Sequence, residues 1–145
     1  MSTPTRPISR KFYRVAYQRF EEAEVLFEAG YYVGAVYLAG YAVECMLKTL
    51  ILEATPEKDH ATVEAEFRGQ RAHDYEWLRY RYVQTHAPGL PADIGQALAF
   101  VRTWETSLRY TPGVGDRDDA SRFLAEARKI VVWADSRMSG REEPW

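Results

Sequence analysis

The chain has 145 residues, of which 46% are hydrophobic and 28% charged, and its formal net charge is −2. That balance describes one globular domain, long enough to bury a core without disulfide or metal staples, and it excludes a disordered chain. A charge this close to neutral also excludes bulk attraction to nucleic acid or to an anionic membrane, so any anion site must arise from local clustering.

Strand signals are nearly missing, because no segment alternates with period two between turn residues. Helical spacing dominates instead. The first helix is predicted over residues 9–29, with Phe12, Val15, Ala16, Phe20, Ala23, Leu26 and Phe27 recurring every three or four positions. Gly30 is its natural stop. The second helix is predicted over residues 32–53 and carries the most regular apolar stripe: Ala35, Val36, Ala39, Ala42, Val43, Met46, Leu47, Leu50 and Ile51. Glu44 and Lys48 interrupt the apolar stretch 31–52, which therefore reads as a central core helix and not as a membrane span. Pro56 ends it.

A short helix is expected around residues 60–67, and a third main helix over residues 73–84, before Pro88, Gly89 and Pro91 break the chain. A fourth covers residues 92–108, with Ile94, Leu98, Val101 and Trp104 inward. Residues 111–116 form an open loop. A fifth begins near Asp118 or Asp119, either of which suits an N-cap, and buries Ala120, Phe123, Leu124, Ala127, Ile130, Val131 and Ala134. Segments 1–8 and 139–145 are expected to be loose around a domain spanning 9–138. Amphipathic helices joined by short links make an all-α, four- to five-helix antiparallel bundle.

Residues 30–51 combine a glycine turn, aromatic residues, an alanine-rich stripe and the run Ala42, Glu44, Leu47, Lys48. The third main helix opens on Ala72, His73 and Asp74, with Leu78 following. The fourth ends in Leu108, Arg109, Tyr110, Thr111 and Pro112. In this order the motifs resemble those of the HEPN family, and the likeness extends over residues 12–137. The resemblance implies a HEPN-like helical bundle that is usually a homodimer. Many such proteins are metal-independent ribonucleases of prokaryotic toxin–antitoxin or defence systems. Others are inactive RNA- or nucleotide-binding partners of small nucleotidyltransferases.

Active members of that family use an arginine followed four to six residues later by a histidine. The guanidinium neutralises phosphate and the imidazole moves a proton at the ribose hydroxyl. Two pairs fit by spacing, Arg68 with His73 and Arg81 with His86, and both depart from the family's usual position and from its arginine–polar version. With 19 basic residues and three histidines, chance accounts for such spacing readily. The stretch 67–82 interleaves Arg68, Arg71, Arg79 and Arg81 with Tyr75, Trp77, Tyr80 and Tyr82. Arginines there would hold phosphates and aromatics would stack on unpaired bases, with Arg71, Tyr75, Trp77, Arg79 and Arg81 the named contacts. The plainer alternative is a solvated helix with inward aromatics and snorkelling arginines.

Glu44 and Lys48 stand four apart and would form an exposed helix pair. A sharper expectation buries Glu44 against Arg109, next to Tyr110, pinning the second helix to the end of the fourth. Tyr31, Tyr32, Tyr37 and Tyr41 are expected in the core and at a dimer interface. Cys45 reads as a small core residue, and as the lone cysteine it forms no internal disulfide and fits a reducing cytosol. No secretory leader is visible in residues 1–10, and a cytoplasmic location is expected. His60, His73 and His86 lack metal spacing, and no phosphate-loop motif occurs, so neither metal nor cofactor is expected. The combined expectation is an RNA- or nucleotide-binding regulatory component, without catalysis. The alternatives are a metal-independent ribonuclease and a plain protein-interaction module.

Overall fold

In the computed structural model the described residues are 4–85, 89–109 and 117–139, with side chains described throughout except at 70, 72, 104–109 and 139. Among them are six α-helices and no strand: α1 (Pro7–Glu28), α2 (Tyr32–Glu53), α3 (His60–Glu66), α4 (Tyr75–Val83), α5 (Ala92–Arg109) and α6 (Arg117–Ser139). Short 3-10 turns, Glu57–Asp59 and Gln70–His73, precede α3 and α4. The expected all-α bundle is present; the count rises to six because the predicted short segment near residue 60 is a full helical element.

The α1–α2 hairpin is set by its turn. Gly30 adopts φ 86°, and a Schellman pair closes the helix end. The Tyr31 amide donates to Leu26 O at 2.9 Å, and the Gly30 amide donates to Phe27 O at 3.0 Å. Nothing lies within 4 Å of where a Gly30 Cβ would stand, so the demand for glycine is conformational. Gly30→Ala should therefore cost about 1–2 kcal/mol through left-handed strain alone. Urea unfolding would measure it, and an unchanged midpoint would contradict the turn.

Helix α1 starts at Pro7, earlier than predicted, which corrects the loose reading of residues 1–8 at its end. Proline suits a first helical position, where its missing N–H is not needed. Arg6 donates to Glu53 Oε2 at 2.9 Å and to the carbonyls of Glu53 and Thr55 at 3.2 and 3.3 Å, and Ser9 Oγ donates to the same carboxylate at 2.7 Å. This clamp ties the start of α1 to the end of α2 and satisfies carbonyls that a helix terminus leaves open.

Helix α2 is the axis of the fold and contacts α1, α4, α5 and α6. Every residue from Ala42 to Leu52 is buried, as a helix surrounded by others must be. Ala35, Ala39 and Ala42 are fully covered, which lets neighbouring backbones come close. By length and composition α2 could cross a membrane, yet 83% of its apolar window is buried inside the bundle. Helix α6 buries the seven residues expected of it. It begins at Arg117, with Asp118 and Asp119 in its first turn, where carboxylates complement the positive helix end. Tyr13 Oη donates to Asp135 Oδ2 at 2.8 Å, joining α1 to α6 through a fully buried carboxylate. His60 is buried, and its Nε2–H donates to Thr55 O at 3.0 Å.

Candidate functional site

The third main helix was expected to open at His73. Instead residues 70–73 form the 3-10 turn, and α4 opens after Asp74, whose carboxylate accepts the Glu76 amide at 2.9 Å. That N-cap fixes the helix start. It leaves His73 in the turn, facing α2.

There His73 meets Glu44 and Lys48. Glu44 is 6% exposed and Lys48 5%, so the pair expected on the surface is inside the protein. Lys48 Nζ stands 2.8 Å from Glu44 Oε2. Its ammonium sits over two aromatic rings, with Nζ 5.7 Å from the Phe12 ring centre and 5.5 Å from that of Phe67. Phe67 in turn packs edge-on against Phe12 and Trp77, at 5.7 and 6.4 Å. These rings come from three elements and shut water away from the ammonium, which strengthens its attraction to Glu44.

The His73 Nδ1 lies 3.1 and 3.0 Å from the two Glu44 oxygens. An ionised carboxylate only accepts, so Nδ1 carries the hydrogen. The His73 side chain remains 60% exposed. Its Nε2 is on the opposite ring edge, directed away from Glu44, and carries a lone pair whenever the ring is neutral. The unit runs from a buried ammonium through a buried carboxylate to an exposed imidazole, and Glu44 and His73 are 29 positions apart in sequence. The expected partner Arg109 has its side chain outside the described residues, as does Tyr110 altogether. Burial of Glu44 agrees with the sharper of the two readings, and the partners found for it are Lys48 and His73.

The remaining predicted contacts divide by exposure. Arg71, Arg79 and Tyr80 face solvent, as does Arg68, whose guanidinium reaches Glu64 only at 3.6 Å. Arg79 lies over Gly95 of α5. Tyr75 is corrected from contact surface to core: it is 2% exposed and donates its hydroxyl to Gly40 O at 2.7 Å. Trp77 is half-buried against Phe67, and Tyr82 is buried edge-on against Trp133. Arg81 is mostly covered and gripped in two-point fashion by Glu66, Nε to Oε1 at 3.0 Å and Nη2 to Oε2 at 3.2 Å. That geometry satisfies the fork a phosphate would use. His86, the other half of the Arg81 pair, lies outside the described residues.

Cys45 is buried beside Glu44, and desolvation pushes its thiol up to about 12, with the Glu44 charge adding to the effect. It stays protonated at neutral pH and is no nucleophile. Tyr41, one turn away, is also shifted upward, chiefly by Cys45 and then by burial. Among the described residues no group of three or more His, Cys, Asp or Glu side chains gathers as a metal site would need.

Fold and side chains together define an all-helical domain whose central helix carries a buried acid–base pair opening onto a basic turn. The chain belongs to the HEPN domain family, whose model matches residues 9–137. Membership makes it a helical domain of nucleotide-binding or ribonuclease-like type. Comparisons with curated proteins and with solved structures give no significant match.

Proposed function

We propose that this protein is a non-catalytic RNA- or nucleotide-binding regulatory component, a homodimer working beside a cognate nucleotidyltransferase-type partner in a toxin–antitoxin or defence system. The observation that carries the binding role is the sorting of residues 68–80. Arg68, Arg71, Arg79 and Tyr80 stay in solvent while Tyr75 and Leu78 enter the core. Cations for phosphates and an exposed ring for a base then share one surface segment in a protein of near-neutral total charge. The binding-only role is favoured by Arg81, which is held by Glu66 and has no free fork for a scissile phosphate. Self-association is favoured by the apolar exposure of Val25, Tyr31 and Tyr37 on the α1–α2 hairpin.

A second reading, metal-independent ribonuclease, has one observation in its favour. A carboxylate on Nδ1 orients the imidazole of a general base, and His73 has one in Glu44 while its side chain stays 60% exposed. Single-stranded RNA incubated with the protein and excess EDTA separates the two. The expected result is binding that weakens with salt and leaves the RNA intact. Arg71→Ala and Arg79→Ala should each lower the logarithmic salt slope by about 0.7, the value for one contact to a single strand. Cleavage abolished by His73→Ala or His86→Ala would replace the regulatory reading with the enzymatic one. Absence of both binding and cleavage would leave a protein-interaction module.

A further inference from the structure

Residues 68–74 run between two rings set in the core, Phe67 at 6% exposure and Tyr75 at 2%. Between them Arg68, Gly69, Arg71, His73 and Asp74 all stand in solvent. Asp74 turns its carboxylate onto the Glu76 amide, and Arg68 leans on Glu64, so both are occupied by near neighbours in the chain. His73 reaches further. Among the described side chains of this stretch it is the one hydrogen-bonded to α2, with Nδ1 3.1 and 3.0 Å from the Glu44 oxygens. A short 3-10 turn has weak hydrogen bonds of its own, so a tie to a rigid helix decides how firmly it sits. Glu44 is a rigid point of attachment, because it is buried and Lys48 stands 2.8 Å from it. Its ionised carboxylate accepts the Nδ1 hydrogen whether or not the far edge of the ring is protonated, so the tie holds in either charge state of the imidazole.

We infer that Glu44 and His73 are positioning residues for anion binding: they fasten the 70–73 turn to α2 and so set Arg71 where a ligand phosphate meets it. The inference deepens the binding reading above and rests on it. Arg71 lies two residues from His73 in the same turn and is exposed. A loose turn has to be ordered when ligand binds, and that ordering subtracts from affinity. Neither Glu44 nor His73 touches the ligand in this account. The buried pair of the central helix then governs a surface contact through one imidazole.

Amide exchange in the free protein and fluorescence anisotropy with oligouridylate test the tie and its consequence separately. The Asp74 amide donates to Arg71 O at 3.0 Å across the turn, so its exchange rate reports whether the turn is held. His73→Ala, a change at an exposed side chain, should speed that exchange about tenfold, the worth of one hydrogen bond to a charged group, and leave the amides of α2 unchanged. Glu44→Leu combined with Lys48→Met removes the acceptor without altering the sequence of the turn, and should do the same. His73→Asn keeps an N–H where Nδ1 stands and discards the rest of the ring, so it should exchange and bind as the wild type does. In anisotropy His73→Ala should weaken oligouridylate binding by roughly threefold, a loss set by the share of time the turn is loose. With Arg71→Ala already present it should weaken nothing further, because no arginine is left to place. An Asp74 rate that ignores His73→Ala would overturn the inference and leave the binding reading standing. So would losses that add in the double variant, or a His73→Asn protein that binds as poorly as His73→Ala, since either result puts the ring itself on the ligand. Wild-type protein that binds no oligouridylate would overturn both.

Discussion

Lys48→Met should destabilise the protein by about 3–5 kcal/mol, a loss far outside the range of surface ion-pair changes. Methionine keeps an unbranched apolar stem at this buried position, so little packing is lost. The charge is what disappears. Glu44 would keep its burial at 6% exposure and lose the ammonium 2.8 Å away. His73 still donates to it from the exposed side, which puts the expected loss toward the lower end of the range. The double variant Glu44→Leu with Lys48→Met removes both charges and should recover much of the stability, because it leaves no charge stranded. Urea unfolding followed by far-UV circular dichroism gives both numbers. If Lys48→Met unfolds at the wild-type midpoint, the pair is solvated in solution and the desolvated unit does not exist.

The pair also marks where sequence periodicity stops being informative. The stripe from Ala35 to Ile51 is local information, and it gives the bounds of α2 as they stand in the structure, Tyr32–Glu53. Glu44 beside that stripe is legible as a buried carboxylate. Its partners are another matter. Lys48 looks like the solvated half of a helix pair because lysine usually is, and only the rings of Phe12 and Phe67, brought from elsewhere in the chain, enclose it. His73 is legible as a titratable residue near a helix start, but its approach to Glu44 depends on how α4 docks on α2. A spacing rule sees neither. The same limit governs Arg81, which fits an arginine–histidine interval and is occupied by Glu66 fifteen positions earlier.

Helix boundaries missed by two residues have local causes. At α1 the start is anchored by contact with α2: Arg6 and Ser9 find Glu53, and Pro7 begins the helix. At α4 the Asp74 side chain captures the Glu76 amide, so the helix opens one residue after the aspartate and His73 falls into the preceding turn. That small shift has a functional consequence, since a His73 inside the helix would have a different direction toward Glu44. Helix α4 is also where apolar and basic residues alternate too closely for periodicity to assign a face. Docking assigns it, sending Tyr75, Leu78 and Tyr82 inward and leaving Arg79 and Tyr80 out.

Phe20→Ala and Val25→Ala test the same hairpin from opposite sides. Both residues are apolar and five positions apart on α1, and composition treats them alike. Five residues turn a helix by about 500°, or 140° past a full turn, so their side chains point well apart. Phe20 is 2% exposed and sits on the face that α1 turns to the core with Ala16 and Ala23, whereas Val25 is 68% exposed. Phe20→Ala removes a ring from a packed interior that can only partly collapse, and should cost about 3–5 kcal/mol. Val25→Ala removes two methyl groups already in water, and alanine is the better helix former, so its effect should stay within about 0.5 kcal/mol. Chemical denaturation of the two variants side by side reads the orientation of α1 directly. Comparable losses for both would mean that Val25 is covered in solution, and the α1–α2 face would then have an occupant that the isolated chain does not supply.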